Sequence, residues 1–115
     1  ELPKREDKPL KLQELLRNFV REETLRREDA WYCDNCKEYK EAAKKLEFRT
    51  VPPVLVLQFK RFKYNELESK RIDTPIDFPL EGLDMKPFCT KTAGKQRNQE
   101  FLYDLVSIID HYGTV

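Results

Sequence analysis

The chain has 115 residues, enough for one modest domain with little core to spare. Lysine and arginine number 22 against 21 aspartates and glutamates, and the signs are interleaved, as in "REETLRRED", so the net charge is only +1. That balance argues against a nucleic-acid face, which carries a clear basic excess; no apolar run approaches the roughly 20 residues of a membrane span, and the opening "ELPKREDKPL" lacks the apolar stretch of a signal peptide.

Residues 1–9 are charged, contain two prolines and read as an extended lead-in. Leu12, Leu15, Leu16, Phe19 and Val20 then fall at i, i+3, i+4, i+7 and i+8, the stripe of an amphipathic helix. Lys11 is a poor N-cap, and the helix is expected to fray near residues 21–23. "TLRREDAWY" leads into a C-x-x-C turn at Cys33 and Cys36. Beyond it, Leu46 and Phe48 alternate in "KKLEFRTV" as in a half-buried strand, which Pro52-Pro53 ends. "VLVLQF", residues 54–59, predicts a central strand buried on both faces. "KRFKYNELESK" leads into a polar loop, and Ile72, Ile76 and Phe78 with Pro75 and Pro79 predict a short edge strand. From Thr90 to Glu100 the one apolar residue is Ala93, which predicts a mobile loop, and "FLYDLVSIID" predicts a second buried strand. One helix followed by strands gives an α+β fold with a mostly antiparallel sheet.

The cysteines carry the strongest chemical suggestion. A C-x-x-C turn brings two thiolates within reach of one tetrahedral ion, with Zn–S near ~2.3 Å. Trp31 and Tyr32 before it and Asp34-Asn35 inside it suit a tight knuckle, since asparagine tolerates the left-handed conformation. Structural zinc takes four ligands, however, and Cys89 lies 53 residues beyond Cys36 and His111 75 beyond it, neither at ligand spacing. A redox dithiol would need the motif at a helix N-terminus after a buried strand, and no such strand precedes Trp31. Two unrelated thiols in a turn is the remaining alternative. Three cysteines are also an unsuitable set for a disulfide framework, which points to a reducing compartment.

The order of segments resembles the ubiquitin-specific protease family, papain-like cysteine peptidases that cleave ubiquitin from proteins. The resemblance runs from about Leu10 to Gly113 and rests on "LQELLRNFVREETL", "WYCDNCKEYKEAAKKLEF", "VPPVLVLQFKRFKYN", "IDFPLEGLDM" and "YDLVSIIDHYG". It implies a catalytic domain of fingers, palm and thumb, of which residues 1–50 would supply fingers and helix and 51–115 palm strands. Two C-x-x-C pairs bind one structural zinc in that family; Cys33 and Cys36 look like the second pair, with the other two ligands expected outside this chain. Phe62 and Tyr64 match aromatic positions lining the channel for the ubiquitin tail, against the alternative that they are ordinary packing residues. Arg61 is expected to pair with an acidic neighbour or to bridge palm to thumb.

The same resemblance removes the catalytic residues. No "GNTC"-like stretch is present, Cys89 in "KPFCTKT" does not match it, and His111 matches a non-catalytic histidine upstream of the family's G-H-Y motif. Chemistry agrees, because a thiol nucleophile needs a positioned base and a group to orient it, and this chain has a single histidine. The expectation is therefore a part, truncated at both ends, of a thiol-dependent deubiquitinating hydrolase acting on ubiquitin and ubiquitinated proteins in the cytoplasm or nucleus. By itself the part should be inactive, and two copies could share one zinc. The alternatives are a non-catalytic ubiquitin-binding module and a zinc-ribbon interaction domain.

Overall fold

The computed structural model describes residues 8–64, 69–93 and 100–113. It contains one α-helix and ten short strands in five two-stranded ladders, four antiparallel and one parallel, among the described residues. The α+β, mostly antiparallel expectation is met, and no helix among the described residues is long and apolar enough to cross a membrane.

Strand β1 (Leu10–Lys11) runs straight into helix α1 (Leu12–Phe19). The helix follows the apolar stripe, and Lys11 gives it no side-chain cap, as its chemistry requires. Leu12 and Leu16, one turn apart, are its buried face. They pack with Leu83, Met85 and Phe88 into the core, joined at its edge by Val20, Phe48, Val51, Leu55, Leu57, Phe59 and Tyr103. Residues on both sides of position 50 thus share one core. Met85 is fully buried. Burial of side chains this size stabilises by about 1.5–3 kcal/mol each, so these five are the main apolar anchor of the fold.

After the helix the chain forms two nested antiparallel hairpins. Strand β2 (Glu23–Leu25) pairs with β5 (Ala42–Lys44), and inside them β3 (Trp31–Cys33) pairs with β4 (Glu38–Lys40). No residue of these strands is buried. The nested hairpins are held by their backbone ladders, by the Tyr32–Tyr39 edge-to-face contact at 5.3 Å, and weakly by exposed ion pairs such as Glu23–Lys44 at 3.2 Å. These four strands were not legible in the sequence, because with neither face buried there is no alternation of apolar and polar residues to read.

Three further ladders follow. Strand β6 (Phe62–Tyr64) pairs with β7 (Ser69–Arg71) where a polar loop is predicted, the tip at 65–68 lying outside the described residues. Strand β8 (Ile76–Asp77) is the short edge strand and runs parallel to β1. Strand β9 (Leu83–Asp84) pairs with β10 (Leu102–Tyr103). The predicted strand at "KKLEFRTV" reduces to one bridge between Phe48 and Cys89, with Leu46 exposed. Most of the predicted loop, residues 94–99, lies outside the described residues.

Two expectations are corrected. Residues 54–59 form no strand and are not buried on both faces: Leu55, Leu57 and Phe59 pack on the core, whereas Val54 is 71% and Val56 82% exposed. The run is apolar on both sides, but the described residues cover only one. "FLYDLVSIID" is likewise a strand only at Leu102–Tyr103, and Val106, Ile108 and Ile109 are exposed. The accessible surface, 11035 Å² for 13.8 kDa, compares with about 6,600 Å² for a compact monomer of this mass. The radius of gyration of 18.7 Å compares with about 13 Å for a compact domain of this size.

Candidate functional site

The C-x-x-C turn joins β3 to β4. Lys37 closes it in the left-handed region at φ 57°, where Asn35 was expected to serve, and its N–H donates to the carbonyl of Cys33 at 2.7 Å. The N–H of Cys36 hydrogen-bonds to the Cys33 sulfur and is the main reason that thiol sits below its ordinary pKa; partial desolvation opposes it, and Asn35 N–H and the Cys36 thiol add to it. The knuckle therefore makes Cys33 easier to deprotonate than an ordinary thiol, with the Cys36 thiol hydrogen-bonding to it. Cys33 is half-buried and Cys36 exposed, so the pair is open on its outer side. This donor set suits two of the four positions of a structural zinc. No cluster of three or more candidate ligands exists among the described residues.

Cys89 is a different thiol. It donates to the carbonyl of Met85 at 3.2 Å, and burial, with the charge of Asp84, pushes its pKa up. A nucleophile needs the opposite shift.

The β6–β7 hairpin holds the expected aromatic positions. Phe62 is half-buried, and its ring meets His111 edge-to-face, centroids 5.7 Å apart. Tyr64 ends β6 opposite Ser69; its side chain lies outside what is described. Arg61 does something other than expected: its Nη1 donates to the carbonyls of Ile72 at 3.1 Å and Thr74 at 2.8 Å, while its guanidinium lies 5.7 Å from the centroid of the Phe59 ring. It sutures the base of the hairpin to the segment entering β8. Arg71, which sequence reading did not single out, donates from Nε to Asp73 at 2.8 Å and from Nη1 to the carbonyl of Gly113 at 2.9 Å. The Arg-x-Asp spacing was the available signal, since residues two apart on extended chain share a face.

The C-x-x-C turn joining β3 to β4 and the hairpin carrying Phe62 lie within the residues that the comparisons match. The family model for ubiquitin carboxyl-terminal hydrolase matches residues 12–115. Human ubiquitin carboxyl-terminal hydrolase 15 is 42% identical over 105 residues, 90% of this chain and 10% of that protein. Bovine ubiquitin carboxyl-terminal hydrolase 4 is 37% identical over 105 residues, again 90% and 10%. Among solved structures, the SAGA Ubp8/Sgf11/Sus1/Sgf73 DUB module bound to ubiquitin aldehyde aligns with a TM-score of 0.71 at 35% identity, covering 96% of this chain and 25% of that one. A form of the same module bound to monoubiquitin gives 0.59 at 34% identity, over 72% and 19%. The chain belongs to the ubiquitin carboxyl-terminal hydrolase family, and it spans about a tenth of the length of the curated relatives it matches.

Proposed function

We propose that the protein of which this chain is a part is a thiol-dependent hydrolase that cleaves peptide and isopeptide bonds at the ubiquitin C-terminal glycine, and that this chain supplies part of its fingers and palm. The observation that carries the reading is the family match over residues 12–115. The chain's own thiols and its single histidine form no nucleophile–base pair in this reading: Cys89 is held as a thiol, Cys33 and Cys36 share a knuckle, and the ring contact of His111 is with Phe62. Nucleophile and base come from the rest of the catalytic domain. Residues 1–50 serve as fingers and helix and 51–115 as palm.

Within that frame Cys33 and Cys36 hold half of a structural zinc site, whose other ligands come from outside this chain. The ion's contribution is to cross-link the fingertip. In the isolated chain, two copies meeting at their knuckles would supply four thiolates to one ion. Phe62 and Tyr64 form one wall of a slot for the extended ubiquitin tail, with ubiquitin and ubiquitinated proteins as partners. The exposed faces at Val54 and Val56 and at Val106 and Ile109 are covered by further residues of the same polypeptide; the excess accessible surface supports this. Unpaired thiols at all three cysteines suit a reducing compartment, cytoplasm or nucleus.

The test is reaction of the whole protein with a ubiquitin vinyl probe. One covalent ubiquitin on a cysteine outside these 115 residues, blocked by prior alkylation, is the expected result. No adduct, or an adduct on Cys33, Cys36 or Cys89, would overturn the reading.

A further inference from the structure

Residues 55–61 and 104–112 are two straight runs of chain, with no helix, turn or bend in either. They are of similar length and take the same direction. At their start the Tyr103 hydroxyl donates to the carbonyl of Pro52, and at their end the ring of Phe62 meets the ring of His111, centroids 5.7 Å apart. Yet the two runs share no ladder. Among the described residues the backbone of 54–60 makes no hydrogen bond, and the backbone of 104–110 makes one, from the Leu105 N–H to the carbonyl of Leu80 at 2.8 Å. Both ties pass through side chains, which hold the two backbones apart. Neighbouring strands lie about 4.7–4.9 Å apart, so two strands flanking a third stand about 9–10 Å apart. A tyrosine side chain at one end and two facing rings at the other suit a gap of that width.

The side chains are those of strands. "VLVLQF" and "LVSII" are rich in β-branched and apolar residues and contain no proline. Leu55, Leu57, Phe59 and Tyr103 rest on the core, so the gap has an apolar floor. Val56, Val106 and Ile109 are exposed beside it. Unpaired backbone along such a run is a template for pairing with another strand.

We propose that the two runs are the walls of a slot for one further β-strand, supplied by the same polypeptide from outside these residues and carrying apolar side chains at alternate positions. This deepens, and rests on, the reading of the chain as part of a larger catalytic domain. One inserted strand pairs with both walls at once and joins them into a continuous sheet. The chain spans about a tenth of the length of its curated relatives, so sequence to supply the strand is at hand in the whole protein. A permanent occupant is favoured over a transient one, because two open apolar edges left waiting for a partner are an aggregation hazard.

The experiment uses the whole protein in the absence of ubiquitin. Val56 and Ile108 are replaced, one at a time, by the photo-crosslinker p-benzoylphenylalanine, and the crosslinked peptides are identified by mass spectrometry. Hydrogen–deuterium exchange of the unmodified protein is followed over residues 54–60 and 104–110, which keeps the test open should a substituted protein fail to fold. Both positions should crosslink within one polypeptide to the same short peptide outside these 115 residues. Amides of both runs should exchange at least about 1,000-fold more slowly than in an unstructured peptide, as in a stable sheet. Crosslinks to two unrelated peptides, or between two copies of the protein, overturn the single inserted strand. Exchange at the unstructured rate that slows only when ubiquitin is added overturns the permanent occupant and makes the slot a substrate groove. If the crosslinks and protection are found but the protein cleaves no ubiquitin amide, the hydrolase reading fails while the slot stands.

Discussion

Tyr103 donates its phenolic hydrogen to the carbonyl of Pro52 and so fastens β10 to the segment that enters the long apolar run. Burial, with the charge of nearby Cys89, raises the pKa of Tyr103, and Cys89 is raised by its own burial and by Asp84. Both groups hold their protons more tightly folded than unfolded. Their stabilising contribution is complete below their ordinary values, about 8.5 for a thiol and about 10 for a phenol, and is lost as pH rises through the higher folded values. These two groups should leave the melting temperature unchanged from about pH 6 to pH 8 and lower it in the alkaline range. Tyr103→Phe should cost about 0.5–1.5 kcal/mol at neutral pH and remove the upper part of the fall. A variant that melts like wild type at every pH would show that the hydroxyl is idle.

Met85 and Val56 mark opposite ends of the burial scale, at 0% and 82% exposure. Met85→Ala should destabilise this chain by about 2–5 kcal/mol, read by chemical denaturation, whereas Val56→Ala should change it by no more than about 0.5 kcal/mol. In the whole protein Val56→Ala should cost more than about 1 kcal/mol, since there the face is covered. An unchanged small cost in the whole protein would show that this face stays in water.

The helix and its buried leucines were legible because a 3.6-residue stripe is a strong signal. The knuckle was legible as a spacing, and Pro52-Pro53 as a break. The strands of the nested hairpins were not, since Glu23–Leu25 and Glu38–Lys40 bury nothing and leave no periodicity. "VLVLQF" was read as buried on both sides because a continuous apolar run looks the same whether both neighbours are within these residues or one lies beyond them. Arg71 escaped notice because its partner is a backbone carbonyl 42 residues away, which no local pattern announces.

Zinc gives a separate prediction for the knuckle. Two thiolates alone leave a tetrahedral ion half-ligated, so the isolated chain should bind about one zinc per two chains, with the mass of a dimer that chelator returns to monomer. Cys33→Ser should abolish both the metal and the dimer. Tight one-to-one zinc in a monomer would mean that the other ligands lie within these residues.

Phe62→Ala separates channel wall from packing. In the whole protein, loss of a tail-positioning ring should lower cleavage of a ubiquitin amide by about 100-fold with the melting temperature nearly unchanged. If the variant is folded and cleaves at the wild-type rate, Phe62 is a packing residue and the assignment fails.

The central claim is that these residues are scaffold and substrate wall for catalytic groups supplied from elsewhere in a ubiquitin hydrolase. Turnover of a fluorogenic ubiquitin amide, measured side by side for the whole protein and for the 115-residue chain, tests it most directly. The whole protein should cleave in a reaction that alkylation stops, and the chain should give no rate above background. Thiol-dependent turnover by the chain alone, abolished by His111→Ala, would contradict the account.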